Sequence, residues 1–213
     1  MKKIEELNKL TDYVAEAGDM ILEALRNSSN ALINGDIELA NQVIENDRNI
    51  NRISYKIESA SLKILLLEQP VATDLRIVSA TLKIATDLER IGDQAKDICD
   101  LIRFLLEGNL YKNNIDTLIE MSKIIDYMIT NCIKAFREKD SQLSKDVIEK
   151  DDKVDKLFYK MRDSMAELIK SEAENADQAI YLMMIAKYFE KMGDHAENIA
   201  KWVYYYTTGE RFK

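Results

Sequence analysis

Residues 89–95 read Glu-Arg-Ile-Gly-Asp-Gln-Ala, and residues 190–196, 101 positions later, read Glu-Lys-Met-Gly-Asp-His-Ala. An Ile-Ala pair stands upstream of each, Ile84-Ala85 and Ile185-Ala186. A second correspondence joins Val43-Ile44-Glu45-Asn46-Asp47 to Val147-Ile148-Glu149-Lys150-Asp151, with an offset of 104 residues. Recurrence at one long period is the mark of a duplicated structural unit. The two offsets differ by three residues, and the difference falls where only the first half carries a proline turn, at Pro70.

Around these motifs the pattern is helical throughout. Ile4, Leu7, Leu10, Val14, Ala17, Ile21, Leu25, Ser28 and Leu32 recur every three or four positions, the largely apolar stripe of a helix about 30 residues long. Asn34-Gly35-Asp36 supplies a glycine stop and an aspartate N-cap for a second helix over residues 37–67. Pro70 ends that helix and suits the first turn of a third, which runs from there to about residue 106 and stops at Gly108-Asn109. The second half repeats the plan: helices over residues 115–139, 143–171 and 178–208, with breaks at Asp140-Ser141, at Glu174-Asn175-Ala176-Asp177 and at Gly209. Long helices joined by short turns pack antiparallel to their neighbours. The expected fold is all-α: two tandem antiparallel three-helix bundles related by an internal repeat, over residues 1–108 and 109–213.

Composition supports this and closes off several functions. The 213 residues include one proline and six glycines, no two of them within six positions. That spacing rules out a G-x-G-x-x-G fingerprint, a G-x-x-x-x-G-K-[ST] loop and a G-x-S-x-G elbow, and with them P-loop and Rossmann chemistry. A net charge of −8 repels a phosphate backbone, so no nucleic-acid partner is expected. The two cysteines, Cys99 and Cys132, form no C-x-x-C, which suits a reducing cytoplasm. Met-Lys-Lys is followed by polar residues rather than an apolar signal core. The longest apolar run, residues 179–186, is eight residues long, against roughly 20 for a membrane span. A cytoplasmic protein is expected.

The residues able to carry chemistry are acids. Glu89, Asp93 and Asp97 lie four apart on the third helix, in one stripe that drifts only about 40° per step. The sixth helix repeats the stripe as Glu190, Asp194 and Asn198, beside Glu197; the second offers Asp47 and Asn51, and the fifth Asp151 and Asp155. Like charges at this spacing destabilise a helix by roughly 0.2–0.5 kcal/mol per pair. Such stripes call for counter-ions, either lysine and arginine in a buried salt-bridge network or a metal. Gly92 and Gly193 precede an acid in both repeats and would permit close helix approach there. A metal site built this way is all oxygen. Mg²⁺, Ca²⁺, Mn²⁺, iron or an oxygen-held zinc would fit it, and a zinc–thiolate site would not.

His195, the single histidine, is either an extra ligand or an ordinary helix histidine; Met192 stands three residues before it, so the Glu-x-x-His of di-iron oxidases is missing. With no nucleophile motif and no evident base, no catalytic residues are assigned and a non-enzyme is expected. Met161, Met165, Met183 and Met184 read as core. Trp202, Tyr204, Tyr205 and Tyr206 read as a cap on the second bundle or a partner surface. Arg48, Arg52, Arg76 and Arg90 read as partners of surface acids, or as binders of an anion such as phosphate.

Longer stretches resemble the PhoU family of phosphate-uptake regulators. They include Ala31-Leu32-Ile33-Asn34-Gly35-Asp36, and Glu68-Gln69-Pro70-Val71-Ala72-Thr73-Asp74-Leu75-Arg76. Asp87-Leu88-Glu89-Arg90-Ile91-Gly92-Asp93 and residues 187–200 complete the set. The resemblance implies two tandem three-helix bundles and a cytoplasmic regulator that restrains the phosphate-specific ABC transporter and its phosphate-sensing histidine kinase. The protein would be peripheral to the membrane through those partners, with room for a homodimer. It also implies metal clusters at Asp47, Glu89, Asp93 and Asp97, and at Asp151, Asp155, Glu190, Asp194 and Asn198. Asn51 stands where the second repeat has Asp155, and Asn198 where the first has Asp97. Two other readings remain open: a structural helical-bundle adaptor without metal, and a metal-dependent helical enzyme.

Overall fold

A computed structural model describes residues 2–106 and 112–212. Its helices are α1 (Lys2–Asn34), α2 (Ile37–Glu68), α3 (Thr73–Leu106), α4 (Lys112–Glu138), α5 (Ser141–Ser171) and α6 (Ala176–Thr208). A short 3-10 turn, Ala173–Asn175, links α5 to α6, and no strand occurs among the described residues. The expected Gly108-Asn109 stop and the boundary between residues 108 and 109 lie outside the described residues.

Equivalent caps start the second helix of each repeat. Gly35 closes α1 at φ +66°, and the Asp36 side chain accepts the Leu39 N–H at 2.9 Å. Asp140 accepts the Gln142 and Leu143 N–H groups, both at 2.9 Å. Each cap satisfies backbone donors that the first turn leaves without partners. Asp36→Ala is expected to cost about 1 kcal/mol of stability, read as a lower urea midpoint at unchanged slope.

Pro70 does not open α3, contrary to expectation. Gln69 and Ala72 on either side of it take positive φ, 42° and 50°. That pair of left-handed residues reverses the chain, so helical geometry resumes only at Thr73.

Helices α1, α2 and α3 pack on one another, as do α4, α5 and α6, while α1 meets α4 and α3 meets α6. Both seams are antiparallel. Along one, Gly18 faces Ile133 and Arg26 pairs with Asp126; along the other, Asp87 meets His195 and Phe104 stacks on Tyr181. A single apolar core runs through all six helices. Gly18 marks a close approach of α1 and α4, where a Cβ would lie 2.5 Å from Ile133 Cγ1.

Met161 and Met165 are buried and Met183 is partly so, but Met184 is 39% exposed. Successive helical residues point about 100° apart. With Leu182, Ile185 and Ala186 fully buried, Met184 falls outside the buried face. The aromatic tail folds onto the second bundle: the buried Tyr206 hydroxyl donates to the Phe136 carbonyl, and Phe212 packs on Tyr204.

Candidate metal centre

Helix α5 presents Asp151 and Asp155, one turn apart, towards α6, which presents Glu190, Asp194 and Glu197. Their approach depends on Gly193. A Cβ there would lie 2.8 Å from Asp151 Oδ1 and 3.3 Å from Val154 Cγ1, so the missing side chain lets a carboxylate rest against the α6 backbone. Asp151, Asp155 and Asp194 each offer one oxygen, and the three lie within 4.8 Å of one another. Asp151 Oδ1 is buried with no hydrogen-bond partner, and no donor to its carboxylate occurs among the described residues.

The electrostatics are one-sided. Burial first, and then Glu197, Asp155, Asp194 and Glu190, push the Asp151 carboxyl up to about 7. Asp155 is raised by burial and by Glu190 and Asp194, with partial relief from Lys187. The acids on α6 have lysine partners on their own helix. Lys187 bonds both Glu190 oxygens at 2.7 Å, Lys191 pairs with Asp194, and Lys201 pairs with Glu197 at 2.5 Å. These half-exposed i,i+3 and i,i+4 pairs are worth a few tenths of a kcal/mol each. They leave Asp151 with no cation and Asp155 with only the partial relief of Lys187.

A group whose folded pKa exceeds its unfolded value holds a proton in the folded state that the unfolded chain has already lost. Folding stability then declines as pH rises through that window. For Asp151 the window runs from the ordinary 3.8 to about 7, and Asp155, Asp47, Glu89 and Asp97 are shifted in the same direction. Chelator-treated protein is therefore expected to melt at a higher temperature near pH 5 than near pH 8. The reverse order in thermal scans would mean that the acids are not crowded as described.

The first bundle is built differently. Gly92 admits α1 and α2, since a Cβ there would meet Ile50 Cγ2 at 2.9 Å and Ile21 Cδ1 at 3.2 Å. Asp47, only 7% exposed, takes the place of Asp151. Its Oδ2 accepts the Asn51 amide at 3.1 Å and faces Lys96 Nζ at 3.8 Å, although its Oδ1 also lacks a partner. Burial raises the Asp47 carboxyl, Lys96 draws it down, and Asp93 pushes it up. Glu89 and Asp97 are raised by burial and then by Asp93, which itself pairs with Arg90 at 3.2 Å. The four expected acids thus share one field. Among the described residues, however, no three of the first bundle bring ligand atoms as close together as the second bundle's triad.

One expected member of the second set lies elsewhere. Asn198 is exposed and lines a shallow depression with Lys201, Trp202 and Tyr205; Glu197, three residues after Asp194, acts on Asp151 instead. His195 Nδ1 lies 2.9 Å from Asp87 Oδ1, a link between α6 and α3 and not part of the triad. The cysteines supply no thiolate: burial pushes the Cys99 thiol up to about 12 and Cys132 upward as well. The donor set is oxygen alone, which suits a hard cation.

The family model of the PhoU domain matches residues 14–102 and 118–203. The chain belongs to the PhoU family. Each matched segment contains one of the two acid sets, carried on the second and third helices of its repeat. The PhoU homolog of Aquifex aeolicus, a phosphate-specific transport system accessory protein, is 33% identical over 213 residues, covering 100% of this chain and 96% of its own. The crystal structure of PhoU from Pseudomonas aeruginosa superposes with a TM-score of 0.94 at 27% identity, covering 97% of this chain and 99% of that one. The phosphate transport system regulatory protein PhoU from Streptococcus pneumoniae gives 0.91 at 26% identity, with 99% of both chains covered.

Proposed function

We propose that this protein is a non-enzymatic cytoplasmic regulator. It restrains a phosphate-specific ABC transporter and a phosphate-sensing histidine kinase when phosphate is plentiful, and its acid set on α5 and α6 binds a divalent or trivalent cation. The observation that carries the regulatory reading is likeness over the whole chain to a phosphate transport system regulatory protein and to a phosphate-specific transport system accessory protein. No helix among the described residues is long and apolar enough to cross a membrane, so contact with a transporter is peripheral. The acid set supports a holding role for the ion. Asp151, Asp155 and Asp194 would be its ligands, with Glu190 and Glu197 beside them, and the ion would supply the positive charge that cluster lacks. No residue nearby has the arrangement of a nucleophile and its base.

Deleting the gene tests the regulatory reading. Phosphate-starvation genes are expected to stay on in phosphate-rich medium, and a plasmid copy is expected to silence them again. Normal silencing in the deletion strain would overturn the proposal and favour a structural adaptor.

A further inference from the structure

Extending the repeat correspondence by one residue past Ala95 and Ala196 places Lys96 opposite Glu197. The 104-residue offset likewise places Asn51 opposite Asp155. In the first repeat, these two residues are the partners of the buried Asp47 carboxylate: on Oδ2, Asn51 Nδ2 donates a hydrogen bond at 3.1 Å and Lys96 Nζ forms an ion pair at 3.8 Å. In the second repeat both positions carry carboxylates, Asp155 and Glu197. Asp151 therefore has neither an amide donor nor an ammonium partner on its carboxylate among the described residues; its Oδ1 is buried and unpartnered, as Asp47 Oδ1 is.

The same scaffold thus sets an ammonium group against Asp47 in the first repeat, whereas in the second the lysines bond the acids of their own helix, α6, and Asp151 has carboxylates for its charged neighbours. A carboxylate held away from water needs a counter-charge or a proton. Lys96 provides that charge covalently, 38% exposed and reaching inward from α3 to α2. Asp97, the remaining acid of the first set, occupies the position that the exposed Asn198 holds in the second.

We infer that the two repeats have divided their roles: the second acid set alone takes a metal ion, and in the first the Lys96 ammonium, paired with the buried Asp47, stands in its place. This rests on the metal reading of the second set given above. It adds that the first set is a metal-free replica, stable in chelator.

The test uses the full chain stripped with chelator and dialysed to equilibrium against Mn²⁺, with bound metal counted per chain and folding checked by circular dichroism. Asp194→Asn is expected to cut bound Mn²⁺ roughly tenfold or more, the scale on which metal sites respond to lost partners. Asp93→Asn is expected to leave bound Mn²⁺ at the wild-type level. Lys96→Glu is expected to add a further chelator-sensitive complement of metal. If Asp93→Asn loses as much metal as Asp194→Asn, the division is wrong while the metal reading stands. Wild-type protein that binds no Mn²⁺ overturns the metal reading itself, and the inference with it. A folded Lys96→Glu protein without additional metal overturns the role given to Lys96. Should that variant fail to fold, the comparison of Asp93→Asn with Asp194→Asn decides alone.

Discussion

Phe189→Ala is expected to lower the free energy of unfolding by about 3–5 kcal/mol, the usual cost of emptying a buried phenylalanine site. Phe189 is 0% exposed and is the bulkiest of the fully buried side chains. It precedes Glu190 on α6, the helix that packs against α5, α4 and, across the seam, α3. A cavity there cannot collapse easily, because the surrounding helices are each held by a second neighbour. Urea denaturation followed by circular dichroism should show a large drop in midpoint at nearly unchanged slope. A loss below about 1 kcal/mol would mean that the site repacks, and that the core around α6 is looser than its burial indicates.

Removing metal should have the next largest effect. A cation that binds only the folded protein adds about 2.7 kcal/mol at a hundredfold excess over its dissociation constant. In a chain of this size each kcal/mol moves the melting temperature by about 2–4 °C. Metal-loaded protein should therefore melt about 5–10 °C lower after chelation. Asp194→Asn should already melt near the chelated value and be indifferent to chelator. A midpoint that ignores chelator in the wild type but falls in Asp194→Asn would assign the acids to salt bridges with Lys191 and its neighbours, since removing one partner of a pair strands the other.

Most of the architecture could be read from the chain. With glycine and proline so scarce, each break had a visible cause, and the caps at Asp36 and Asp140 sit where the sequence placed them. The start of α3 was not legible, because the positive φ of Ala72 is set by how the turn closes and not by alanine's own preference. Of the acids, Asp151, Asp155 and Asp194 converge as their spacing implied. Following steps of four led to Asn198, whereas the stripe facing α5 continues three residues on, at Glu197. Lys96 lies one residue beyond the recurring motif, and its pairing with Asp47 joins residues 49 positions apart on two helices. The pairing of His195 with Asp87 joins residues 108 positions apart, and no local pattern announces such a contact.

The antiparallel seam also says something about ancestry. α1 and α4 are counterparts in the two repeats, as are α3 and α6, and each packs on its own counterpart. That is the self-complementary contact of a twofold dimer, drawn here within one chain. A single three-helix unit would expose the apolar sides of its first and third helices, and two identical copies would cover them in this same arrangement. In a dimer of separate identical chains, any change at one acid set would appear in both. Within one chain the two sets can differ, and a lysine at position 96 does not oblige one at position 197.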